Sequence, residues 1–344
     1  MNNFEDRSTE QQVRSKITLI TFILSLLVIW IHTYNLETYG IDGSGGGLDK
    51  FAWLLETTWS AFIGIAVPFF FFISGFLFFR TFRFTWDGIK SKYISRIKGV
   101  VIPYIIWCTL YYLYYVILTH LPRVKDIVNS EPVPLTFIRW LDALWPHEYY
   151  TLWFLKELII LIALCPLIYI LFKNKYIGAI ILLLLVLNSQ FGWVRIPLGS
   201  NIYYLAGAYI AIAFKSAESY RNKLLTILGC IFLMVLFVLR FRFLDNTIVQ
   251  LVFFVAVWFA CDIFKSDRNY PWWMKITFFT YVAHDIFLEL FEKIFLMILG
   301  KRTLFALLDY IFVPLLVFAV LVAIAAFMRR FTPKIWSIIT GMRS

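Results

Sequence analysis

The stretch Val67–Arg80, VPFFFFISGFLFFR, decides what kind of protein this is. Half of its residues are Phe. Extended back to Phe62, it is about long enough to cross a hydrocarbon core at roughly 1.5 Å per residue. A water-facing segment would not carry such a run, so the solvent it meets is lipid or other helices. The Ser74-Gly75 pair in its middle has two readings. Small residues let helices approach closely, which is the commoner use, and a hydroxyl there could also bond a neighbour or a ligand.

The rest of the chain agrees with this stretch. Of 344 residues, 61% are hydrophobic and 15% charged, and the mean hydropathy is +0.78, far from a soluble globular domain. The expected fold class is all-α and polytopic, one membrane domain over residues 1–344. Apolar runs separated by charge or turn clusters predict about ten transmembrane helices: 17–36, 53–79, 99–119, 151–172, 176–190, 199–214, 224–239, 247–264, 276–299 and 305–328. No small-residue cleavage site follows the first run, so it is expected to stay as a helix rather than leave as a signal peptide.

With the N-terminus placed in the cytoplasm, the inner segments hold 21 of the 32 Lys and Arg residues and the outer segments nine. That bias predicts both termini cytoplasmic, with 1–16 and 331–344 as short inner tails. The net charge of +11 is thereby a membrane-orienting charge and not a nucleic-acid surface. Cys108, Cys165, Cys230 and Cys261 fall in or beside apolar runs without CxxC spacing, which points to packing and not to disulfides or zinc. Two outer loops are long: 37–52, with its flexible GIDGSGGG, and 120–150, with Pro122, Pro132, Pro134, Pro146, His120 and His147.

Ionisable groups inside a bilayer are costly, so each is a candidate for function, set against the plainer reading that it pairs with a neighbouring helix. Arg14, Thr18, Thr21, Ser25 and His32 repeat at helical spacing and form one polar stripe rising to His32. A neutral imidazole there could act as general base or nucleophile, or pack as a hydrogen-bonded core residue. In YVAHDIFLELFEKIF, Asp285, Glu289 and Glu292 share one face beside His284, with Lys293 available to Glu289. They line either a cavity or an ion-pair network. In LWFLKELIIL, Lys156 can snorkel while Glu157 turns inward. The segment from Arg80 to Lys98 concentrates Arg80, Arg83, Lys90, Lys92, Arg96 and Lys98, which suits anionic lipid headgroups or a phosphorylated cytosolic cofactor. GxxxxGK[ST], GxGxxG, HExxH and GxSxG are all missing, so ATP-driven, dinucleotide, zinc-protease and serine-hydrolase chemistry find no support.

Six segments, taken in order and spacing, resemble the membrane acyltransferase-3 family, particularly its surface-polysaccharide O-acetyltransferase branch. They are VIWIHTYN (28–35), VPFFFFISGFLFFR (67–80), RIKGVVIPYIIW (96–107), LWFLKELIILIALCPLIY (152–169), YYLAGAYIA (203–211) and FTYVAHDIFL (279–288). The resemblance implies transfer of an acetyl or other short acyl group from cytosolic acyl-CoA to a hydroxyl of a surface glycan or glycan precursor at the outer face. It implies His32 as the catalytic residue and the basic segment near the coenzyme A phosphates. Glu157, His284, Asp285 and Glu289 then orient His32 or bind acceptor hydroxyls. Arg14, Ser74, Arg80, Arg83, Lys92, Arg96 and Lys98 are the candidates for donor binding.

Two positions depart from the family pattern. Thr21 stands where an Arg is common eleven residues before the helix-one His, and Gly99 where the second Arg of an RxxR pair would follow Arg96. The expected setting is the bacterial cytoplasmic membrane, with membrane lipids and a glycan acceptor as partners, homo-oligomers or polysaccharide-synthesis proteins beside them, no nucleic acid and no metal. The rival functions are a transporter or flippase for a glycan or lipid-linked precursor, and a non-catalytic scaffold of a polysaccharide synthase.

Overall fold

The computed structural model describes residues 2–33, 36–121, 131–145, 150–194, 199–214, 221–264 and 269–342, the side chains of 2–9, 37 and 150 excepted. His147, Pro122, Pro146, Arg123, Lys125, Arg195, Lys215, Lys265, Arg268 and Arg343, which enter the loop and charge readings above, lie outside the described residues. Among the described residues the regular structure is helical throughout, and the apolar runs fall in helices, those at 53–79 and 151–172 each divided between two. The contacts gather into two compact units, one formed by 1–82 with 166–320 and the other by 83–165 with 321–344.

The first unit begins with α1 (Asn2–His32), followed by α2 (Leu36–Tyr39), α3 (Leu48–Ile63) and α4 (Ala66–Arg80). The second holds α5 (Trp86–Arg96), one π-helical turn (Ile97–Val101), α6 (Ile102–His120), α7 (Phe137–Ala143) and α8 (Trp153–Ala163). Then come α9 (Cys165–Phe172), α10 (Lys175–Phe191), α11 (Asn201–Ala213), α12 (Lys223–Val238), α13 (Thr247–Ala260), α14 (Thr277–Leu299), α15 (Thr303–Phe331) and α16 (Pro333–Ile339). Several starts are capped as their sequence asks: the Asn174, Asn222 and Asn246 side chains accept from the first turns of α10, α12 and α13.

Among the described residues, four helical stretches are long and apolar enough to cross a membrane: Glu10–His32, Leu48–Arg80, Trp86–His120 and Thr303–Phe331. A fifth is counted if α8 and α9 form one span, although they meet at a 64° bend. Pro166 explains that bend, because it supplies no N–H to the preceding turn and disfavours helical geometry at Cys165. α10, α11, α12 and α13 are apolar but shorter. α14 is long enough, yet Asp285, Glu289, Glu292 and Lys293 interrupt its apolar character.

In the first unit the Ser-Gly question has a physical answer. A Cβ placed on Gly75 of α4 would run into the Tyr204 carbonyl of α11, and a Cβ on Gly207 of α11 would run into the Phe72 carbonyl of α4. The two helices therefore cross backbone to backbone, each offering a glycine to the other. Around this crossing the Phe run fills space, with Phe69 stacked on Phe254 at 4.3 Å between ring centroids. α1 packs against α4 on one side and α14 on another, and the Trp30 indole donates to the Tyr310 carbonyl at 3.0 Å.

In the second unit, part of the long loop 120–150 has a fixed place. Residues 131–145 run back along α6 and are bonded to it at successive levels. Val133 N–H donates to the Thr119 hydroxyl at 3.0 Å, the Tyr112 hydroxyl donates to the Pro134 carbonyl at 2.9 Å, the Trp140 indole donates to the Thr109 hydroxyl at 2.9 Å, and the Tyr104 hydroxyl donates to the Leu144 carbonyl at 2.7 Å. From Thr119 to Tyr104 is on the order of 22 Å of helix at 1.5 Å per residue. The segment thus satisfies its irregular backbone on α6 side chains, as an apolar setting requires. At the end of the chain, Gly341, at φ +67°, lies so close to the Gly99 carbonyl that a side chain there would collide, and the Trp107 indole donates to the Ile339 carbonyl at 3.0 Å.

Candidate functional site

His32 is the last residue of α1, and His284 sits in the first half of α14, fully buried. Packing of α1 on α14 brings the two imidazoles to 5.2 Å between ring centroids, tilted by 44°. His284 Nδ1 lies 2.7 Å from the Tyr281 carbonyl. A carbonyl can only accept, so Nδ1 carries the proton and Nε2 is left with a lone pair. That Nε2 is buried and has no hydrogen-bond partner among the described residues. Asp285, the next residue, is close enough to act electrostatically on His32.

The face of α14 predicted from its 4- and 3-residue spacings does gather carboxylates. Glu292 has Asp309, Asp285, Glu289 and Glu56 as its charged neighbours, and its Oε1 is buried without a partner among the described residues. Glu289 is held by Lys293 at 2.5 Å. Asp309 of α15 accepts from the Tyr39 hydroxyl at 3.3 Å. Glu56 of α3 accepts from the Leu36 N–H at 3.4 Å. Both acids are almost wholly enclosed, 1% and 3% exposed. Tyr39 lies in the connection after α1, where burial first and the Asp309 carboxylate second push its hydroxyl up, so it stays a neutral donor.

Of the residues singled out by sequence, the structure sets His32 against His284 with Asp285 as a charged neighbour, while Glu289 lies one turn further along α14, paired with Lys293. Sequence reading passed over Glu56 and Asp309. Both are ionisable groups within the runs 53–79 and 305–328, so the rule applied to α14 would have found them; what hid them was that each stands alone in its apolar run.

The polar stripe on α1 has a different character from the one expected. The Thr18 hydroxyl donates to the Arg14 carbonyl at 2.8 Å, Thr21 to the Ile17 carbonyl at 2.7 Å and Ser25 to the Phe22 carbonyl at 2.8 Å. These hydroxyls are spent on their own helix, a common fate of Ser and Thr in apolar surroundings. Arg14 is largely exposed and bonds Glu10 at 2.8 Å, and Arg80 bonds the same Glu10. Beside them Lys16 is buried against Asp262 at 2.6 Å, lies over the Trp258 ring at 4.8 Å, and shares Asp262 with Arg221 at 3.8 Å. Ser74 is half-buried in α4 next to the glycine crossing.

The remaining candidates belong to the second unit. Arg96 and Tyr93 line a cavity of about 420 Å³ whose other walls include Ile97, Ile159 and Ile162. Lys92 is a charged neighbour of Arg96. The cavity abuts the π-helical turn 97–101, a distortion found often at functional sites. Lys98 and Arg83 are exposed. Glu157 pairs with Lys156 at 3.7 Å, and the Lys156 ammonium lies over the Trp145 ring at 5.1 Å. Among the described residues no group of three or more His, Cys, Asp or Glu side chains is arranged to hold a metal ion.

A family model described as an acyltransferase domain, that of acyltransferase-3, matches residues 15–335. No curated protein and no solved structure matches the chain.

Proposed function

The chain belongs to the membrane acyltransferase-3 family, and from that premise we propose an integral-membrane O-acyltransferase that moves an acetyl or other short acyl group from acyl-CoA to a hydroxyl of a surface glycan or its precursor. The observation that supports it most is the imidazole pair, His32 and His284, 5.2 Å apart, in a buried setting crowded with carboxylates. An acyl transfer to a hydroxyl needs one group to take the hydroxyl proton as the oxygen attacks the thioester carbon, and the thiolate of coenzyme A then leaves with a proton. His32 is the base, or alternatively the nucleophile that carries the acyl group between donor and acceptor. His284, its tautomer set by the Tyr281 carbonyl, and Asp285 orient His32 and stabilise it when it is charged. Glu289 and Glu157 are assigned to acceptor hydroxyls.

Donor binding is assigned to the cations: Arg14 and Arg80, with Ser74, in the first unit, and Arg83, Lys92, Arg96 and Lys98 in the second. Arg96 beside an open cavity suits a phosphate with an apolar arm attached, since a guanidinium offers a planar fork of donors to phosphate oxygens. The reading includes about ten spans with both termini in the cytoplasm of a bacterial cell, so that donor and acceptor arrive from opposite faces.

The test is transfer of label from radiolabelled acetyl-coenzyme A to a crude surface-glycan fraction by the purified protein in liposomes. Wild type is expected to label glycan or itself, and His32→Ala to do neither. If wild-type protein neither moves label nor binds coenzyme A, the enzyme reading is wrong and transport of a glycan or lipid-linked precursor takes its place.

A further inference from the structure

In the first unit α1, α4, α11 and α13 surround a cavity of about 190 Å³. Its walls are apolar side chains, among them Ile20 of α1, Phe69 and Phe76 of α4, Ile210 of α11, and Phe254 and Val255 of α13. A buried water takes roughly two to four polar partners, which such walls do not offer, whereas an apolar cavity of about 150 Å³ already admits a benzene-sized molecule. A space of this size left empty forfeits the contacts of its lining and lowers stability. The frame around it cannot simply close. The glycine crossing at Gly75 and Gly207 holds α4 and α11 backbone to backbone, and Lys16 of α1 is tied to the end of α13 through Asp262 at 2.6 Å and the Trp258 carbonyl at 3.4 Å. Phe69 and Phe254, stacked at 4.3 Å, brace the wall between α4 and α13.

The cavity also has a way in. Val255, in its wall, is 43% exposed and continues a stripe of exposed side chains on α13, Ile248 and Val252, at spacings of 4 and 3. The stretches that carry Ile20 and Phe69, Glu10–His32 and Leu48–Arg80, are long and apolar enough to cross a membrane, so the medium against that stripe is hydrocarbon. We infer that the cavity is a lipid site, occupied by one acyl chain of a membrane phospholipid that enters past Val255 and lies against Phe69 and Phe254. An alkyl chain supplies the dispersion contacts the walls lack and buries no polar group, since the headgroup stays outside. Its part in the fold is to fill the space that the glycine crossing and the Lys16–Asp262 pair hold open. His32 lies 12 residues beyond Ile20 on α1, on the order of 18 Å, so this site is separate from the imidazole pair.

The experiment places the full chain in nanodiscs of phosphatidylethanolamine and phosphatidylglycerol, doped with a phosphatidylglycerol that bears a diazirine midway along one chain. After illumination the labelled residues are mapped by mass spectrometry of peptides. Label is expected on Phe69 and Phe254, 3% and 1% exposed, at a yield comparable with that on exposed Val252, because only a chain inside the cavity reaches them. Val255→Trp, which blocks the entrance, and separately Ile20→Phe, which fills the interior, should each cut the label on Phe69 and Phe254 about tenfold and leave that on Val252 unchanged. Either variant suffices if the other does not fold. Label confined to Val252 and other exposed positions in wild type, or label on Phe69 and Phe254 that persists in a folded variant, would overturn the inference. Displacement of that label by excess acetyl-coenzyme A would also overturn it and give the cavity to the pantetheine arm of the donor.

Discussion

The two ends of α1 treat buried charge in opposite ways. At one end Lys16 meets Asp262 at 2.6 Å with Arg221 behind it, and Glu10 is shared by Arg14 and Arg80; each carboxylate has a cation. At the other end His32 lies beside His284 and Asp285, and Glu292 is surrounded by further acids. Matched pairs inside a protein offset the loss of hydration and need no ligand. Crowded like charges do not, and a fold keeps them where something else is bound or where a proton must move. The first end is matched in charge within the fold, and the second holds the imidazole pair on which the proposed chemistry rests.

That contrast can be broken at several points. The largest effect is expected from His32→Ala, which should lower label transfer by about 10²- to 10⁴-fold, the range for a lost general base, with the melting temperature in detergent barely moved. A comparable loss of stability instead of activity would put His32 on the structural side. Lys16→Met should do the opposite: about 3 kcal/mol of stability lost, since Asp262 stays buried without its close partner, and a substantial recovery in the double variant Lys16→Met/Asp262→Leu. Failure of the double variant to recover would mean the pair does more than neutralise itself.

Gly75→Ala probes neither charge set and calibrates both, because its Cβ meets the Tyr204 carbonyl. About 2 kcal/mol of destabilisation is expected from such overpacking, read as a lower melting temperature, and a neutral result would mean α4 and α11 can separate freely. The smallest change in stability is expected from Arg14→Gln. Its partner Glu10 keeps Arg80, and an exposed pair contributes within about 0.5 kcal/mol. On the proposed donor role, Arg14→Gln also weakens transfer at saturating acceptor in a way that raising acetyl-coenzyme A reverses; transfer unchanged at low acetyl-coenzyme A would remove Arg14 from the donor site.

Much of this was legible from residue type and spacing. The Phe run at 67–80, the loop punctuation and the 4-3 repeat of Asp285, Glu289 and Glu292 are local features, and local features write helices and helix faces directly. The ionisable residues within apolar runs marked a candidate site for the same reason, since their cost in lipid does not depend on neighbours. Thr18, Thr21 and Ser25 were misleading because spacing reveals a face, not whether a hydroxyl on it is already bonded to its own helix. The segment 131–145 read as loop because its Pro and Leu residues carry no period; its bonds to Thr119, Tyr112, Thr109 and Tyr104 join residues 14 to 40 positions apart.

The sequence by itself thus determined that this is an all-helical chain with helices long and apolar enough to span a membrane, where its helices run and which side chains are costly to bury. Only the tertiary structure decided which of those costly groups meet: Lys16 with Asp262, His32 with His284, and Glu292 with Glu56 and Asp309. Pairing across helices depends on how backbones cross, and at α4 and α11 that crossing is set by Gly75 and Gly207, residues whose contribution is the absence of a side chain.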